Sequence, residues 1–438
     1  MRRRTMRFRR PVALLAVLGS VGLLTVGCGD EPRAFGTAHV ESDAPHPRAT
    51  DEEVASGAEI VNHVAAELYG PIADEAKDGN LAYSPVSIAT ALAMARAGAQ
   101  GTSAEQFDAF FGSDDPATLG RSVNGATAGL QDLTGPVPIA GEDELGEIEL
   151  TNANALWGQS GVEFQEPFLD DLRTQFDASM WTADFAADPE QARAGINDWV
   201  AEHTREHIPE LLPQDSINPR TRLVLTNAVF FKAPWPAELD DAGSMPFTTA
   251  SGDEVQADMV GDTSTYPFQR GDGWVAVTIP YAGGKLGMTL LVPDEGKLTD
   301  VEAAIDDELL HQVLTGGEDH PVMLRFPKID LASTVPLGDA LRGLGVTEPF
   351  ETETDFEPIT TDPDAQPLHI DDVLHQATVT VDEHGTEASA ATAVVFETVG
   401  GMITEEELIV DRPYLFAIHD LEHGIPLFLG RVTDPTKE

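Results

Sequence analysis

The chain has 438 residues, of which 42% are hydrophobic, so it can build a large core and wholesale disorder is not expected. Acidic side chains outnumber basic ones by 75 to 26, which gives a formal net charge of −49. Such a surface repels phosphate backbones, so nucleic acid is not an expected partner. Cys28 is the single cysteine, and no intrachain disulfide can form.

The N-terminus has the pattern of an export signal. Six arginines lie within the first ten residues and precede an apolar run from Val12 to Val26, shorter than the roughly 20 residues that span a bilayer. The run ends at Gly27-Cys28 and resembles a bacterial lipobox, although Thr25 replaces the usual leucine. We therefore expect residues 1–27 to be a signal peptide, cleaved before a lipid-modified Cys28. Plain secretion and an uncleaved anchor are the alternatives.

These features predict an exported, cell-envelope lipoprotein that contacts the membrane only through the lipid at Cys28. Residues 28–55 are rich in Asp, Glu, Pro, Ala and His and show no apolar periodicity. Such composition is typical of a flexible acidic tether. The folded body is accordingly expected to begin at residue 56.

Apolar periodicity then predicts three helices. One begins at Ala58, one runs from Ser84-Pro85 to Gly98, and one runs from Pro189 to His207. Most strand patterns come later, at 222–231, 274–280, 286–292, 322–326, 379–381, 414–418 and 427–432. Helices early and strands late favour an α+β class. Because no linker interrupts residues 56–438, we expect a single domain.

The segment from Val379 to Phe396 has the pattern of a strand in a place that also looks like a loop. From Thr386 onward, one face is uncharged and consists of Thr386, Ala388, Ala390, Thr392, Val394 and Phe396. The other face carries Glu387 and Glu397. A strand with one buried face has this alternation. The small side chains would fit between two existing strands without a clash, which suggests a segment with two conformations.

This segment resembles the proximal hinge of the reactive-centre loop in serpins. The hinge residues are Glu383, Gly385, Thr386, Glu387, Ala388, Ser389, Ala390, Ala391 and Thr392, with Ser389 a variant of the usual alanine. Further blocks occur in the serpin order at 84–94, 154–157, 225–235, 326–329, 411–416 and 426–431. The resemblance implies the serpin fold: helices on a large mixed β-sheet, two smaller sheets, and an exposed reactive-centre loop at about 383–411.

The resemblance also assigns residues to two regions of the large sheet. Ser84, Ser87, Asn227 and His375 fall on the serpin shutter, beneath the point where strands part. Buried groups of these types must be paired, so they can form a hydrogen-bond network; ordinary helix caps and a surface histidine are the alternative. Trp235 falls on the breach, where the loop enters, but Pro234 departs from the serpin pattern and cannot donate a ladder hydrogen bond.

Two histidine motifs compete with this interpretation. His203-Thr-Arg-Glu-His207 matches a pattern of zinc peptidases, although a solvated helix end is the favoured interpretation. His419-Asp-Leu-Glu-His423 is interpreted as a polar turn between two strands, and Glu405-Glu-Glu407 as solvated loop charge. We expect no metal site, no cofactor and no enzymatic activity.

The resemblance implies a suicide-substrate inhibitor that traps a serine protease in a covalent complex and acts as a monomer. Counting from Gly385 places the reactive bond at Val399–Gly400, whereas counting back from Pro413 favours Met402. No Lys or Arg lies between Gly385 and Asp411, so elastase-, subtilisin- or chymotrypsin-like targets are expected rather than trypsin-like ones. Papain-like cysteine proteases are a further possible partner. The alternatives are a non-inhibitory serpin that acts as a binding module and a membrane-tethered metallohydrolase.

Overall fold

The computed structural model describes residues 38–40, 42–113, 115–141, 145–152, 154–176, 178, 180–351, 355–363, 365, 368–370, 373–386 and 406–437. Several predicted positions lie outside these ranges: the signal peptide, Cys28, Glu387, Ala388, Ser389, Ala390, Ala391, Thr392, Val399, Gly400 and Met402. No helix within the described ranges is long and apolar enough to cross a bilayer.

Several of the helices begin at a residue whose side chain caps them. Thr50 accepts a hydrogen bond from Glu53 N at 3.2 Å while Glu53 Oε2 accepts one from Thr50 N at 2.9 Å, which forms a capping box at the first helix. Ser84 caps the second helix, with Pro85 in its first position. The α-helices in the described ranges are α1 (Asp51–Ala76), α2 (Pro85–Ala97), α3 (Gly101–Phe111), α4 (Pro116–Gln131), α5 (Glu166–Phe176), α6 (Pro189–His203), α7 (Leu298–Glu302), α8 (Asp307–Thr315) and α9 (Leu337–Gly343), and Glu348–Phe350 is a 3₁₀ turn.

The strands form two sheets, which confirms the α+β class. They are β1 (Ala38–Val40), β2 (Leu81–Tyr83), β3 (Gly135–Pro138), β4 (Leu145–Asn152), β5 (Ala155–Gln159), β6 (Met180–Ala183), β7 (Leu223–Pro234), β8 (Asp240–Thr248), β9 (Glu254–Gly271), β10 (Trp274–Pro280), β11 (Leu286–Pro293), β12 (Glu318–Pro327), β13 (Ile329–Pro336), β14 (Val373–Val381), β15 (Gly385–Thr386), β16 (Glu406–Ile409), β17 (Tyr414–Asp420) and β18 (Pro426–Val432).

The first sheet is mixed and has the order β1-β6-β5-β7-β15-β14-β13, with β4 also beside β7 and β3 beside β4. The second sheet has the order β16-β12-β9-β10-β11-β17-β18-β2, with β8 beside β9. We expected two smaller sheets, but the described strands form one continuous second sheet. The reason is β9, whose 18 residues pair with β8 and β12 along most of the strand and with β10 at its end.

The folded body starts earlier than predicted. Strand β1 pairs with β6, and α1 begins at Asp51 rather than Ala58. The prediction of a flexible tether over 28–55 is therefore wrong for its second part. The acidic first turn of α1, which obscured the apolar periodicity, is favoured at a helix N-terminus because it complements the helix dipole.

Helix α2 lies at the centre of the molecule. All its residues but the last are buried, and it packs between α1, α4 and α5 on one side and strands of both sheets on the other. A second apolar cluster lies on the opposite face of the first sheet, beneath α6, and includes Trp157, Phe185, Ile196, Val200 and Ala228. The first sheet is therefore covered on both faces, so a strand that enters it exchanges solvent for packed side chains.

The close approach of α1 and α4 depends on glycine. A Cβ at Gly57 would overlap the carbonyl oxygen of Ser122 and lie 2.9 Å from Ala126 N. Gly57→Ala should therefore lower the free energy of unfolding by about 1–3 kcal/mol, as overpacking usually does. Gly343→Ala, in α9, is the control: its Cβ would meet nothing within 4 Å, and alanine should raise stability by up to about 1 kcal/mol. Guanidinium unfolding followed by circular dichroism measures both, and equal effects would contradict the packing argument.

Candidate functional site

The site lies where β7 and β14 part. These strands run parallel and are paired from Leu225–Val373 to Val229–Ala377. Beyond this point the described pairing between them stops, and at the far end β15 lies between them, antiparallel to both. We call the separation between residues 230–232 of β7 and 378–380 of β14 the slot. The first sheet is thus closed at one end of the slot and wedged open at the other.

The closed end is fastened by His375 and Asn227, which face each other in the β14–β7 register. His375 Nε2 accepts a hydrogen bond from Ser84 N at 2.9 Å, so the ring proton is on Nδ1, which donates to Asn227 Oδ1. Both side chains are fully buried. Burial lowers the pKa of His375 to about 3, so the imidazole is neutral at physiological pH.

The amide of Asn227 extends the network to α2. Its Nδ2 lies 2.6 Å from Ser87 O, 2.8 Å from Ser87 Oγ and 3.1 Å from Asn154 Oδ1. Ser87 Oγ donates to Asn154 Oδ1 at 2.9 Å, and Ser84 Oγ accepts from Ser87 N at 3.4 Å. All four predicted shutter residues therefore meet in one buried network, not as separate helix caps and a surface histidine. Asn154, between β4 and β5, also belongs to this network, and the sequence analysis includes it only as part of the block at 154–157.

The open end is built around Trp235, which is buried as the breach assignment implies. Its indole stacks on Tyr281 with ring centroids 4.5 Å apart and planes 3° apart, and its Nε1 donates to Asp382 O at 2.9 Å. The Tyr281 hydroxyl lies 2.5 Å from Thr386 Oγ1. Thr386, the first residue of the uncharged hinge face, is thus held inside the sheet by a tyrosine that the sequence analysis did not select.

Gly385 makes this entry possible. Its φ is +154°, and a Cβ there would overlap the carbonyl oxygen of Ala233. Asp382 Oδ1 accepts hydrogen bonds from the backbone N–H groups of His384 and Gly385, which tightens the turn into β15. Pro234 is accommodated because only its carbonyl is used, as the acceptor for Ala282 N at 2.9 Å. The missing N–H of Pro234 therefore leaves no ladder hydrogen bond unmade here.

Two charged side chains secure the turn from outside. Lys328 Nζ lies 2.6 Å from Glu383 Oε2, and this bond lowers the pKa of Glu383 and raises that of Lys328. The backbone carbonyl of Glu383 also accepts Leu239 N at 2.8 Å. Glu383 therefore joins the hinge to β8 through its backbone and to the β12–β13 corner through its carboxylate.

The competing histidine motifs are held by structural contacts. His203 Nδ1 lies 2.7 Å from Trp199 O, and its ring stacks on Trp199, whereas His207 stacks on Phe230 at 4.5 Å. Because α6 ends at His203, the two imidazoles do not share a helix face, and within the described ranges no cluster of His, Cys, Asp and Glu could hold a metal.

The second histidine motif forms the predicted turn between two strands only from Leu421 onward, because β17 extends to Asp420. His419 lies in β17 rather than in a turn and is fully buried, with Nε2 2.7 Å from Thr289 Oγ1. Burial lowers its pKa. Glu406 and Glu407 belong to β16 instead of a loop, and Glu406 pairs with Arg270. The sequence pattern does not indicate these strand residues, because His419 and Glu406 are charged or polar and their partners, Thr289 and Arg270, are distant in sequence.

The structure thus has a mixed sheet with a slot between β7 and β14, a buried His375–Asn227 hydrogen bond and a turn at Gly385. These features agree with the serpin fold that the sequence blocks resemble. A family model described as Serpin (serine protease inhibitor) matches residues 59–435. The chain belongs to the serpin family. Most serpins are inhibitors rather than catalytic enzymes, although some members are not inhibitory.

Relatives and solved structures agree with this assignment. A serpin-like protein of Thermococcus kodakarensis is 33% identical over 381 residues, which are 86% of this chain and 85% of the relative. The leukocyte elastase inhibitor of Xenopus tropicalis is 29% identical over 384 residues, or 85% of this chain and 98% of the relative. The native structure of the thermophilic serpin tengpin has a TM-score of 0.77 at 23% identity and covers 91% of this chain and 99% of its own, which shows a shared fold.

The buried imidazole of His375 should make the native serpin sensitive to acid. Its pKa is about 3 in the folded state and about 6.5 when unfolded, so between these values only the unfolded chain gains a proton here. Its contribution to stability is constant above about pH 6.5 and falls by up to about 1.4 kcal/mol per pH unit below it. Denaturant unfolding at pH 7.5, 6 and 5 should show a steeper loss for the wild type than for His375→Gln. His311→Gln, at an exposed position, is the control; if it flattens the profile equally, His375 is not the source.

Removal of the Tyr281 hydroxyl should loosen the hinge. Tyr281→Phe leaves Thr386 Oγ1 buried without this partner, which should cost about 0.5–1.5 kcal/mol. Amide hydrogen exchange in a peptide covering 383–386 should become faster. Tyr414→Phe is the matched control, because its buried hydroxyl has no hydrogen-bond partner within the described structure. Unchanged exchange in Tyr281→Phe would show that the hydroxyl does not hold the hinge.

Proposed function

We propose that this serpin inhibits serine proteases by inserting its cleaved reactive-centre loop into the first sheet. The observation that carries the proposal is the position of Thr386. It already occupies the first place of a new strand, paired with Ala233 of β7 on one side and Val381 of β14 on the other. The hinge therefore already lies between the edges of β7 and β14. Once cleavage frees the loop, the strand that starts at Thr386 could extend along both edges.

The pairing at β15 sets the register that further insertion would follow. In an antiparallel strand the partner numbers fall as the loop numbers rise. Continued from Thr386, this register brings Thr392 between Asn227 and His375, and it brings Glu387 beside Lys232. The uncharged face of the hinge would then lie on the side of Val229, Phe231 and Val379, which is packed against the core.

Insertion along this register would break a small set of hydrogen bonds and form a larger one. The five-residue β7–β14 ladder must open, together with the Asn227–His375 hydrogen bond. An inserted strand then pairs with both β7 and β14, so one parallel ladder is replaced by two antiparallel ones. Each ladder bond contributes about 0.5–1.5 kcal/mol net, and Val394 and Phe396 would lose contact with water. The loop-exposed form is therefore the less stable of the two, which is what a trap requires.

The chemistry would belong to the target. Its catalytic serine attacks the reactive carbonyl of the loop, expels the amine of the following residue and remains joined to the loop as an ester. Insertion would carry the protease away from its binding position before water hydrolyses that ester. Val399–Gly400 is the proposed bond and Met402 the alternative, both apolar. This supports elastase-, subtilisin- or chymotrypsin-like targets, in line with the elastase inhibitor named among the relatives. A papain-like cysteine protease would form a thioester by the same route.

The first experiment incubates the purified protein with pancreatic elastase and with subtilisin and separates the products on a denaturing gel. A complex that survives detergent is the expected result, and the mass of the released C-terminal peptide distinguishes cleavage after Val399 from cleavage after Met402. Clean cleavage without a complex, across several proteases, would instead favour a non-inhibitory serpin that acts as a binding module. Rapid inhibition of trypsin would contradict the proposed specificity.

A charged side chain on the inserting face of the hinge should convert the inhibitor into a substrate. In the register above, residue 390 would lie between Val229 and Ala377, both fully buried, so an arginine there would have to bury an unpaired charge to insert. Ala390→Arg should therefore raise the number of inhibitor molecules cleaved per protease trapped by about tenfold or more. Glu407→Arg, exposed on β16, introduces the same side chain away from the slot and should leave this ratio unchanged. Equal effects of the two variants would argue against insertion as the trapping step.

A further inference from the structure

A cleft of about 360 Å³ lies where the turn between β9 and β10 meets α7 and the start of α8. This volume is at the lower end of the range that small-molecule sites occupy. The cleft is distinct from the slot, because its lining belongs to the second sheet and to the helices beside it. The polar lining residues on which binding would depend are Trp274, Lys297, Asp306 and Glu308.

Trp274, the first residue of β10, has an unused hydrogen-bond donor in this cleft. The residue is only 6% exposed, yet its indole N–H makes no hydrogen bond within the described residues. A Cβ at Gly271 would lie 2.5 Å from Trp274 Nε1, so the N–H edge of the ring lies beside the β9–β10 turn, whose next two residues line the cleft. A buried indole N–H usually finds an acceptor. An acceptor oxygen on a ligand in the cleft would supply one.

Lys297 adds a cation to the same wall of the cleft. Its side chain runs past the turn, since a Cβ at Gly273 would lie 3.5 Å from Lys297 Cγ. Its Nζ lies 2.6 Å from Asp300 Oδ2, which uses one of the three ammonium donors and raises the pKa of Lys297. Both side chains are more than half exposed, so the other two donors are available to an anion.

Two carboxylates at the start of α8 give the cleft its opposite charge. Asp306 uses one carboxylate oxygen to accept Leu309 N at 2.8 Å, and Glu308 is exposed. Neither carboxylate has an ion-pair partner in the part of the chain that the structure describes. A simple anion would be repelled by these two groups, whereas a simple cation would leave the Trp274 donor unused. A ligand that carries both charges would satisfy donors and carboxylates together.

We propose that this cleft binds a small zwitterion that joins an ammonium group to a carboxylate, as betaines and amino acids do. The ligand carboxylate accepts hydrogen bonds from Trp274 Nε1 and Lys297 Nζ, and the ammonium group lies beside Asp306 and Glu308. Because exposed charge pairs contribute little, the expected affinity is in the millimolar range. The site lies outside the slot and does not depend on the insertion mechanism.

The test measures the Kd of glycine betaine for the purified protein by saturation-transfer NMR of the ligand. Tetramethylammonium and acetate, which each carry one charge of the zwitterion, should bind at least about tenfold more weakly. Lys297→Gln and Glu308→Gln should each raise the Kd of glycine betaine about threefold. Trp274→Phe keeps an aromatic ring without the N–H and should raise it about fivefold. Lys285→Gln and Glu254→Gln, at exposed positions away from the cleft, should leave it unchanged.

The other outcomes each overturn the proposal. Absence of saturation transfer to glycine betaine would mean that the cleft is not a zwitterion site. Tetramethylammonium that binds as tightly as glycine betaine would show that the Trp274 and Lys297 donors play no part. Equal weakening by the two control variants would assign binding to the acidic surface as a whole. Should Trp274→Phe fail to fold, Lys297→Gln and Glu308→Gln decide the question, because both side chains are exposed.

Discussion

The structure depends on two parallel strands that are joined along only part of their length. Over five residue pairs β7 and β14 share a ladder, and the His375–Asn227 hydrogen bond fastens it at its middle. The imidazole of His375, in β14, bonds both to the Asn227 side chain in β7 and to the backbone N–H of Ser84, the N-cap residue of α2. It can do so because its two nitrogens face different elements. The same sheet is held apart at its other end by Thr386. The first sheet therefore keeps a gap between β7 and β14 inside a well-packed core, and ordinary packing would close this gap.

The polar groups explain why this arrangement persists. Apolar side chains at this position would hold the strands together by non-directional packing. A buried hydrogen bond is costly to open unless its donor and its acceptor both find new partners. The network of Ser84, Ser87, Asn154 and Asn227 offers several acceptors within reach of one amide. It can hold the closed ladder and still redistribute its bonds when the strands separate. Under the proposed insertion mechanism, this network would protect the loop-exposed state by a kinetic barrier rather than by making it the more stable form.

The sequence predicted the family and the α+β class because these are carried by local blocks, and the four polar side chains that it selected as shutter residues lie in one buried network. It did not select Tyr281, whose role depends on contact with Thr386, 105 positions away. Nor did it detect β1, since three residues beside a proline-rich acidic stretch carry too little periodicity to indicate a strand. His419 was misplaced for a related reason: a histidine among acids suggests a turn until its buried partner Thr289 is known. Contacts across the sheets, rather than local propensity, decide these positions.

The positions of the tryptophans allow changes at the slot to be followed by intrinsic fluorescence. Trp157, Trp181 and Trp199 form one cluster beneath α6 and at the sheet edge, with centroid separations of 5.4–6.1 Å. Trp235 is separate and stacks face to face on Tyr281, directly above the point where the hinge enters. The fifth tryptophan, Trp274, lies in β10 of the second sheet. A strand that extends past Thr386 would change the surroundings of Trp235, while it would shift the three clustered indoles as a group. The protein therefore contains reporters at the entrance of the slot and at the far edge of the sheet, without any added label.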